Sequence, residues 1–325
     1  MSTAVQPALL PLEQIEALYE TPLFPLIEKA HRVHQENWAA EEVQLCTLMS
    51  IKTGGCSEDC SYCSQSAHYS TGVERETLVG VETVYAAAQQ AKETGSTRFC
   101  MGAAWKGVRK GDAKFDQVLD IVRRVSDLGM EVCVTLGELG DEEAACLKDA
   151  GVTAYNHNLD TSPEHYPNIV STHTYEDRLS TIGAVQRSGM ALCCGGILGL
   201  GESRQDRLRF LQVLTGFRPA PESIPINSLM AMPGTPLEDN APVDVFELVR
   251  MIAVTRILFP STKVRLSAGR TSLSKEGQAL CLYAGANSIF YGAKLLTAPN
   301  PANQADDSLL EVLGLKKQPS FSNRD

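Results

Sequence analysis

The sequence predicts an α/β fold, a (β/α)8 barrel of the TIM type, on three observations. Short apolar or β-branched runs alternate with helix-periodic segments from residue 46 onward. Eight such units fit into roughly 250 residues, the size of one barrel. Glycine or proline punctuates most joins, at Gly95, Gly129, Gly151, Gly189, Pro219 and Pro260. Alternation of this kind implies parallel strands joined by right-handed crossovers.

The strand runs are residues 46–52, 98–103, 131–136, 154–159, 192–198, 223–229, 264–268 and 288–291. The clearest helical stretches between them are 81–94, 115–128, 142–150, 174–188, 204–214 and 243–258. Ahead of the barrel, residues 1–45 read as a helical extension, with Thr21 as N-cap and Pro22 in the first turn of a helix carrying Leu26, Ala30 and Val33. His31 and His34 lie on that helix without a ligand partner in sequence and read as surface or packing residues. The barrel is expected over 46–295, and 296–325 reads as a short helix near 306–313 followed by a flexible tail, disordered from Lys316.

Composition excludes several classes. The 325 residues carry a net charge of −10, which argues against a general nucleic-acid or anionic-membrane binder. The start, Met1 to Gln14, lacks the basic and apolar regions of a secretion signal. The most apolar stretch, from Met190 to Gly201, is about twelve residues long, short of the ~20 needed to span a bilayer. A cytoplasmic protein is therefore expected, in which thiols stay reduced. A chain of this size needs no disulfides for stability, so its ten cysteines require another explanation.

The most specific local signal is Cys56-Ser57-Glu58-Asp59-Cys60-Ser61-Tyr62-Cys63, directly after the first strand and Gly54-Gly55. That position is the C-terminal face, where barrel enzymes place their chemistry. Three thiolates within eight residues suit an iron–sulfur cube with one iron left open. A structural zinc site is the competing reading, but zinc prefers four ligands in two separated pairs, and only His68 stands nearby. A glycine segment, Gly195-Gly196-Ile197-Leu198-Gly199, closes the fifth strand; its glycines permit close approach of backbone to a ligand.

Cys100, Cys133 and Cys193-Cys194 lie on the second, third and fifth strands. Any one of them alone reads as a small buried hydrophobe. Three on nearby strands can instead converge inside the barrel. The polar run Tyr155-Asn156-His157-Asn158-Leu159-Asp160 and Arg265 on the seventh strand add to a polar interior, which requires partners or a ligand. Adjacent strand residues face opposite ways, so only one of Cys193 and Cys194 points inward.

The cysteine loop and the glycine segment resemble the radical S-adenosylmethionine (radical SAM) superfamily. The strings Ser50-Ile51-Lys52-Thr53-Gly54, Gly95 to Trp105, Tyr155 to Thr161, Val264 to Arg270 and Gly285 to Gly292 narrow the resemblance to its biotin-forming branch, over roughly residues 10–315. The resemblance implies that Cys56, Cys60 and Cys63 hold a [4Fe-4S] cluster whose open iron chelates S-adenosylmethionine, a source of a 5′-deoxyadenosyl radical. It implies that Cys100, Cys133, Cys193 and Arg265 hold a [2Fe-2S] cluster, the expected sulfur donor. Tyr62, Asn158, Asp160, Arg178, Gly195, Gly196, Ile197 and Gly199 would contact S-adenosylmethionine, and Asn158 and Asn227 the substrate, dethiobiotin. Cofactors would carry the reaction, with no side chain as acid, base or nucleophile. A low-potential, flavodoxin-like electron donor, the iron–sulfur assembly machinery and a homodimeric state are implied as well. Cys46, Cys146 and Cys281 match no ligand position and read as packing residues. A sulfur inserter of the lipoyl synthase kind is the nearest rival, but its separate cysteine-rich motif is absent; a zinc-binding barrel is the rival from another class.

Overall fold

A computed structural model of the chain describes residues 9–319. Residues 1–8, with most of the stretch read for a secretion signal, and residues 320–325 lie outside the described part. Two helices come first, α1 (Leu12–Tyr19) and α2 (Leu23–Asn37). The barrel strands are β1 (Glu42–Lys52), β2 (Arg98–Ala103), β3 (Glu131–Thr135), β4 (Ala154–Asn156), β5 (Ala191–Cys193), β6 (Gly196–Leu198), β7 (Ser223–Ser228), β8 (Lys263–Leu266) and β9 (Ser288–Phe290). The crossovers are α3 (Val81–Glu93), α4 (Ala113–Ser126), α5 (Asp141–Ala150), α6 (Tyr175–Arg187), α7 (Arg204–Leu214), α8 (Val245–Leu258) and α9 (Lys275–Tyr283). After β9 come α10 (Asn303–Val312) and a two-residue strand, β10 (Lys316–Lys317).

Neighbouring strands pair in the order β1-β2-β3-β4-β5-β7-β8-β9, and β9 returns to β1. Every one of these pairings is parallel. β5 and β6 are two halves of one stave, since β6 also pairs with β7. The result is the closed eight-stave barrel that the alternation predicts, with every strand-to-helix loop at one end.

Local chemistry accounts for the helix starts. Asp112 accepts the Lys114 amide at 2.8 Å to cap α4, and capping boxes formed by Thr174 with Asp177 and by Ser203 with Asp206 open α6 and α7. The expected cap at Thr21 is not made. Pro22 holds the cap position of α2, and the Thr21 hydroxyl instead bonds back to the Ala17 carbonyl. The fourth strand is shorter than expected, ending at Asn156, and the chain turns into the left-handed region at Asp160, with φ 65°.

Nor does the chain lose order at Lys316. Lys316 and Lys317 pair parallel with Glu42 and Val43 at the start of β1, and Lys317 forms an ion pair with Asp307 at 2.9 Å. The unpaired outer edge at the head of β1 offers backbone partners to this segment, a signal that local composition does not carry.

Parity organises the interior. On β1, β2 and β3 the odd-even alternation sends Val43, Leu45, Phe99, Met101, Val132 and Val134 outward into the main apolar core against the helices. The inward set contains Gln44, Cys46, Arg98, Cys100, Glu131 and Cys133, all buried. The helices complete the outer core; α4 alone buries Phe115, Val118, Ile121, Val122 and Val125, at about 1.5–3 kcal/mol for each large side chain.

The bottom layer of the barrel is a charged plug. Arg98, 1% exposed, bonds Glu131 at 2.6 Å and Glu222 at 2.9 Å. Lys263 reaches the same Glu222 at 2.7 Å, and Gln44 donates to Glu131 at 2.8 Å. Buried charges persist only when paired and hydrogen-bonded; every charge of this layer has an opposite partner, and Glu222 Oε2 alone makes no hydrogen bond. Among the described residues no helix is long and apolar enough to cross a membrane.

Although burial works against it, Arg98 and then Lys263 hold the Glu222 carboxyl down, from 4.5 to about 2. A depressed carboxyl stabilises the fold above its unfolded value, and that contribution disappears as pH falls through the folded value. Glu222→Gln is therefore expected to unfold at lower denaturant concentration than the parent at pH 6. The gap should close between pH 4.5 and 2, as read from denaturation midpoints across that range.

Candidate active site

All ten cysteines are free thiols. Six of them face one cavity of about 390 Å³ that runs down the barrel axis from the loop end. Cys56, Cys60 and Cys63 line its mouth; Cys100, Cys133 and Cys193 line its floor, together with Arg265.

The mouth loop leaves β1 through Gly54 and Gly55, both with φ near 65°, a region that favours glycine. A side chain at Gly54 would also lie 2.6 Å from the Glu74 carbonyl oxygen. The Cys56 amide donates to the Gln65 carbonyl at 2.9 Å, and the Ala67 amide returns to the Cys56 carbonyl at 2.7 Å, so the loop closes on itself.

The residues between the cysteines brace the loop. The Asp59 carboxylate accepts the Ser171 and Thr172 amides at 2.9 and 3.1 Å. Burial works against this carboxyl's ionisation, yet the bonds from Ser171 and Thr172 hold it well below the usual carboxylate range. Glu58 contacts His173 Nδ1. From there a chain of contacts runs through His173 Nε2 to Tyr166 Oη at 2.7 Å, and from Arg178 Nε to the same oxygen at 2.7 Å. It continues from Arg178 to Asp160 at 3.6 Å and ends where Tyr62 Oη donates to Asp160 at 2.8 Å. Both ends, Glu58 and Tyr62, belong to the cysteine loop. The network pins the loop to the tops of β4 and α6.

The glycine segment is tightly packed. A Cβ at Gly195 would lie 1.9 Å from the Pro225 carbonyl oxygen, and one at Gly196 would lie 2.7 Å from the Phe210 ring. These glycines let staves and helix approach one another. Gly199, with φ 96°, is held in its turn by Glu202, which accepts its amide at 3.0 Å. Of this segment, Ile197 lines the cavity.

Asn158 and Asn227 both line the cavity. Asn158 Oδ1 accepts the Gly195 amide at 3.0 Å. Asn227 spans two staves, donating to the Gly196 carbonyl at 2.9 Å and accepting the Ala268 amide at 3.1 Å. Two buried cavity-lining groups were not singled out from sequence. His157 is 2% exposed with neither ring nitrogen bonded, and His173 closes the contact to Glu58. The polar fourth strand pointed to the first; nothing local marked the second.

On the floor, Cys193 faces inward and Cys194 packs outward in the helix-facing core. Cys100 stands opposite Cys133 in the β2–β3 register, and both pack in one buried inner group with Cys193. Arg265 Nη1 lies 3.8 Å from Cys193 Sγ. Hydrogen bonds from Cys133, aided by the Arg265 charge, pull the Cys100 and Cys193 thiols down, whereas Cys133 itself is pushed up by the thiols it serves. Cys46, read from sequence as packing, belongs to this inner group and not to the outer core. Cys281 packs in the outer core, and Cys146 packs against it half-buried.

The donor chemistry suits clusters of iron and sulfide at both levels. Burial pushes the Cys60 and Cys63 thiols up, the latter to about 11, so they are protonated when free and lose their protons on binding metal. Among the described residues no three His, Cys, Asp or Glu side chains are gathered as a single-ion site. What recommends the fit is soft sulfur donors in two groups, with a cationic guanidinium beside the inner one.

A closed parallel barrel with three cysteines looped over its C-terminal mouth defines the radical SAM class, and the radical SAM superfamily model matches residues 50–214. The biotin and thiamin synthesis associated domain matches residues 225–316. The chain belongs to the biotin synthase family within that superfamily. It is 56% identical over 305 residues to a biotin synthase of Sorangium cellulosum (strain So ce56), covering 94% of this chain and 87% of that one. It is 54% identical over 303 residues to one from Synechococcus elongatus, covering 93% and 94%. In fold it is similar to a crystal structure of methylornithine synthase, with a TM-score of 0.80 at 17% identity, covering 96% and 95%. A maturase of the [FeFe]-hydrogenase aligns with a TM-score of 0.83 at 15% identity, covering 97% of this chain and 73% of that one.

Tyr166→Phe removes the hydroxyl shared by His173 and Arg178 and leaves two buried nitrogens without it. A loss of about 1–3 kcal/mol in unfolding free energy is expected. Faster labelling of Cys56, Cys60 and Cys63 by a thiol reagent should accompany it, read by mass spectrometry.

Proposed function

We propose that this chain converts dethiobiotin to biotin, inserting sulfur at two unactivated carbons, with the chemistry confined to the barrel cavity. The observation that carries the reading is one cavity lined by three thiols at its mouth and three thiols with an arginine at its floor. A [4Fe-4S] cluster would be held by Cys56, Cys60 and Cys63. A [2Fe-2S] cluster would be held by Cys100, Cys133 and Cys193, with Arg265 as the fourth member of the set. Bound there, S-adenosylmethionine and the two clusters supply a carbon-centred radical able to take hydrogen from unactivated carbon, and sulfide as the sulfur source.

The residues of the chain bind, orient and exclude. Tyr62 of the mouth loop, Asp160 and Arg178 form a joined polar wall, and in this reading they meet S-adenosylmethionine, Arg178 and Asp160 offering opposite charges to its polar groups. Gly195, Gly196 and Gly199 shape that wall, and Ile197 supplies its apolar surface. Asn158 and Asn227 stand between the two thiol groups with their amides already fixed by backbone bonds, a preorganised place for a ureido ring. The buried plug beneath the floor keeps water out from below.

A low-potential, flavodoxin-like protein would deliver electrons, and iron–sulfur assembly proteins would load the centres. A homodimer in the cytoplasm completes the proposal.

Anaerobic purification followed by iron and sulfide assays tests it. Two loaded clusters correspond to about six irons and six sulfides per chain. Cys60→Ala is expected to lose about four of each and to abolish reductive cleavage of S-adenosylmethionine, while Cys133→Ala should lose about two and still cleave it without forming biotin. A colourless protein containing zinc and no sulfide would overturn the reading.

A further inference from the structure

The rim of the cavity is not held evenly. The cysteine loop is tied down by the Glu58–His173 contact, by the amides on Asp59 and by the Tyr62–Asp160 bond. Asn227 fixes the rim between β6 and the end of β8 through two backbone bonds. The segment after β9 is built differently. Residues 293–300 form a small hairpin: Leu295 N donates to the Ala298 carbonyl and Asn300 N to the Ala293 carbonyl, both at 2.9 Å, and Lys294 pairs antiparallel with Pro299. At its tip Leu295, Leu296, Thr297 and Ala298 all line the cavity.

This hairpin is firm at its base and lightly held at its tip. At the base, buried Asn300 donates to the Phe290 and Gly292 carbonyls at 3.1 and 2.7 Å. At the tip, the Ser64 and Thr297 hydroxyls share a hydrogen bond of 2.9 Å. Among the described residues it is the one hydrogen bond from 294–299 to any other segment. The remaining hold is apolar. Leu295 is buried, and Leu296 fills the notch left by Gly102 on β2, where a Cβ would come within 2.6 Å of its Cδ2. The tip thus reaches from β9 past β1 to β2 and to the residue after Cys63, on one polar contact and two leucines.

We infer that the 293–300 hairpin is a flap over the cavity mouth, closed in this structure, and that Ser64 is the positioning residue that latches it through Thr297. The charged plug closes the far end of the barrel, so a small molecule reaches the interior only past this rim. Of the parts of the rim, the flap is the one that moves with the fewest bonds to break. The inference rests on the reading that the cavity takes dethiobiotin and S-adenosylmethionine. A latch that is the same with and without ligand sets how often the flap opens and leaves affinity alone. Loosening it speeds entry and release together, a pairing that neither a ligand contact nor a merely structural residue produces.

The test uses the full chain, purified without oxygen, and its variants Ser64→Ala and Leu296→Ala. Opening is read in the absence of ligand, by brief trypsin treatment and mass spectrometry of cleavage after Lys294, an exposed residue of the flap. Association and dissociation of dethiobiotin and of S-adenosylmethionine are followed by stopped-flow tryptophan fluorescence, since Trp105 lines the cavity. Loss of one neutral hydrogen bond in Ser64→Ala should raise cleavage after Lys294 and both ligand rates by ~2- to 10-fold, with Kd unchanged. Leu296→Ala, which empties the Gly102 notch, should raise cleavage at least as much. Parent-like cleavage in both variants would overturn the flap. Faster cleavage with parent-like ligand rates would show a hairpin that moves without controlling entry, and a rise in release alone would make Ser64 a ligand contact; either result overturns the gate. A parent that binds neither molecule would overturn the functional reading and the gate with it, a failure distinct from unchanged rates in a chain that binds.

Discussion

Closing eight parallel staves into a barrel forces every second strand residue into a space with no access to water except through its own end. That constraint governs the rest of the structure. An inward side chain must find partners there, and the protein meets the requirement in layers: a charged plug of Arg98, Lys263, Glu131 and Glu222, then a ring of thiols with Arg265, then the asparagines, then the mouth loop. Each layer is polar in its own way. The outward faces of the same strands are almost wholly apolar and hold the helices in place.

The layering explains how much of the site was legible in sequence. Strand parity is local and readable: in Arg98-Phe99-Cys100-Met101 and Glu131-Val132-Cys133-Val134, large apolar residues alternate with polar residues or cysteine, and the structure sends the two sets to opposite faces. The same alternation in Val43-Gln44-Leu45-Cys46 carried the same message, and it placed Cys46 inside with Cys100. Matching to a family pattern had set that residue aside as packing. The physics of the strand was the better guide for it.

Other features depend on partners far away in the chain, and no local pattern could reveal them. The bond between His173 and Tyr166 and its extension to Glu58 require a loop after β1 and a segment before α6 to meet. The pairing of Lys316 and Lys317 with β1 depends on an edge more than 270 residues earlier in the chain. The glycines at 195 and 196 were visible, but the packing they permit was not. They make room for the Pro225 carbonyl and the Phe210 ring, contacts between residues far apart in the chain.

The charged plug has a further consequence for traffic. Its arginine and lysine are buried and paired, and they seal the end of the barrel opposite the cysteine loop. The cavity is in that respect a blind well. Anything drawn from the floor has to be replenished through the rim, past the loop thiols and the asparagines, by the route along which substrate enters and product leaves. On the proposed reading, in which the floor supplies the sulfur, refilling the floor and turning over substrate would compete for one doorway.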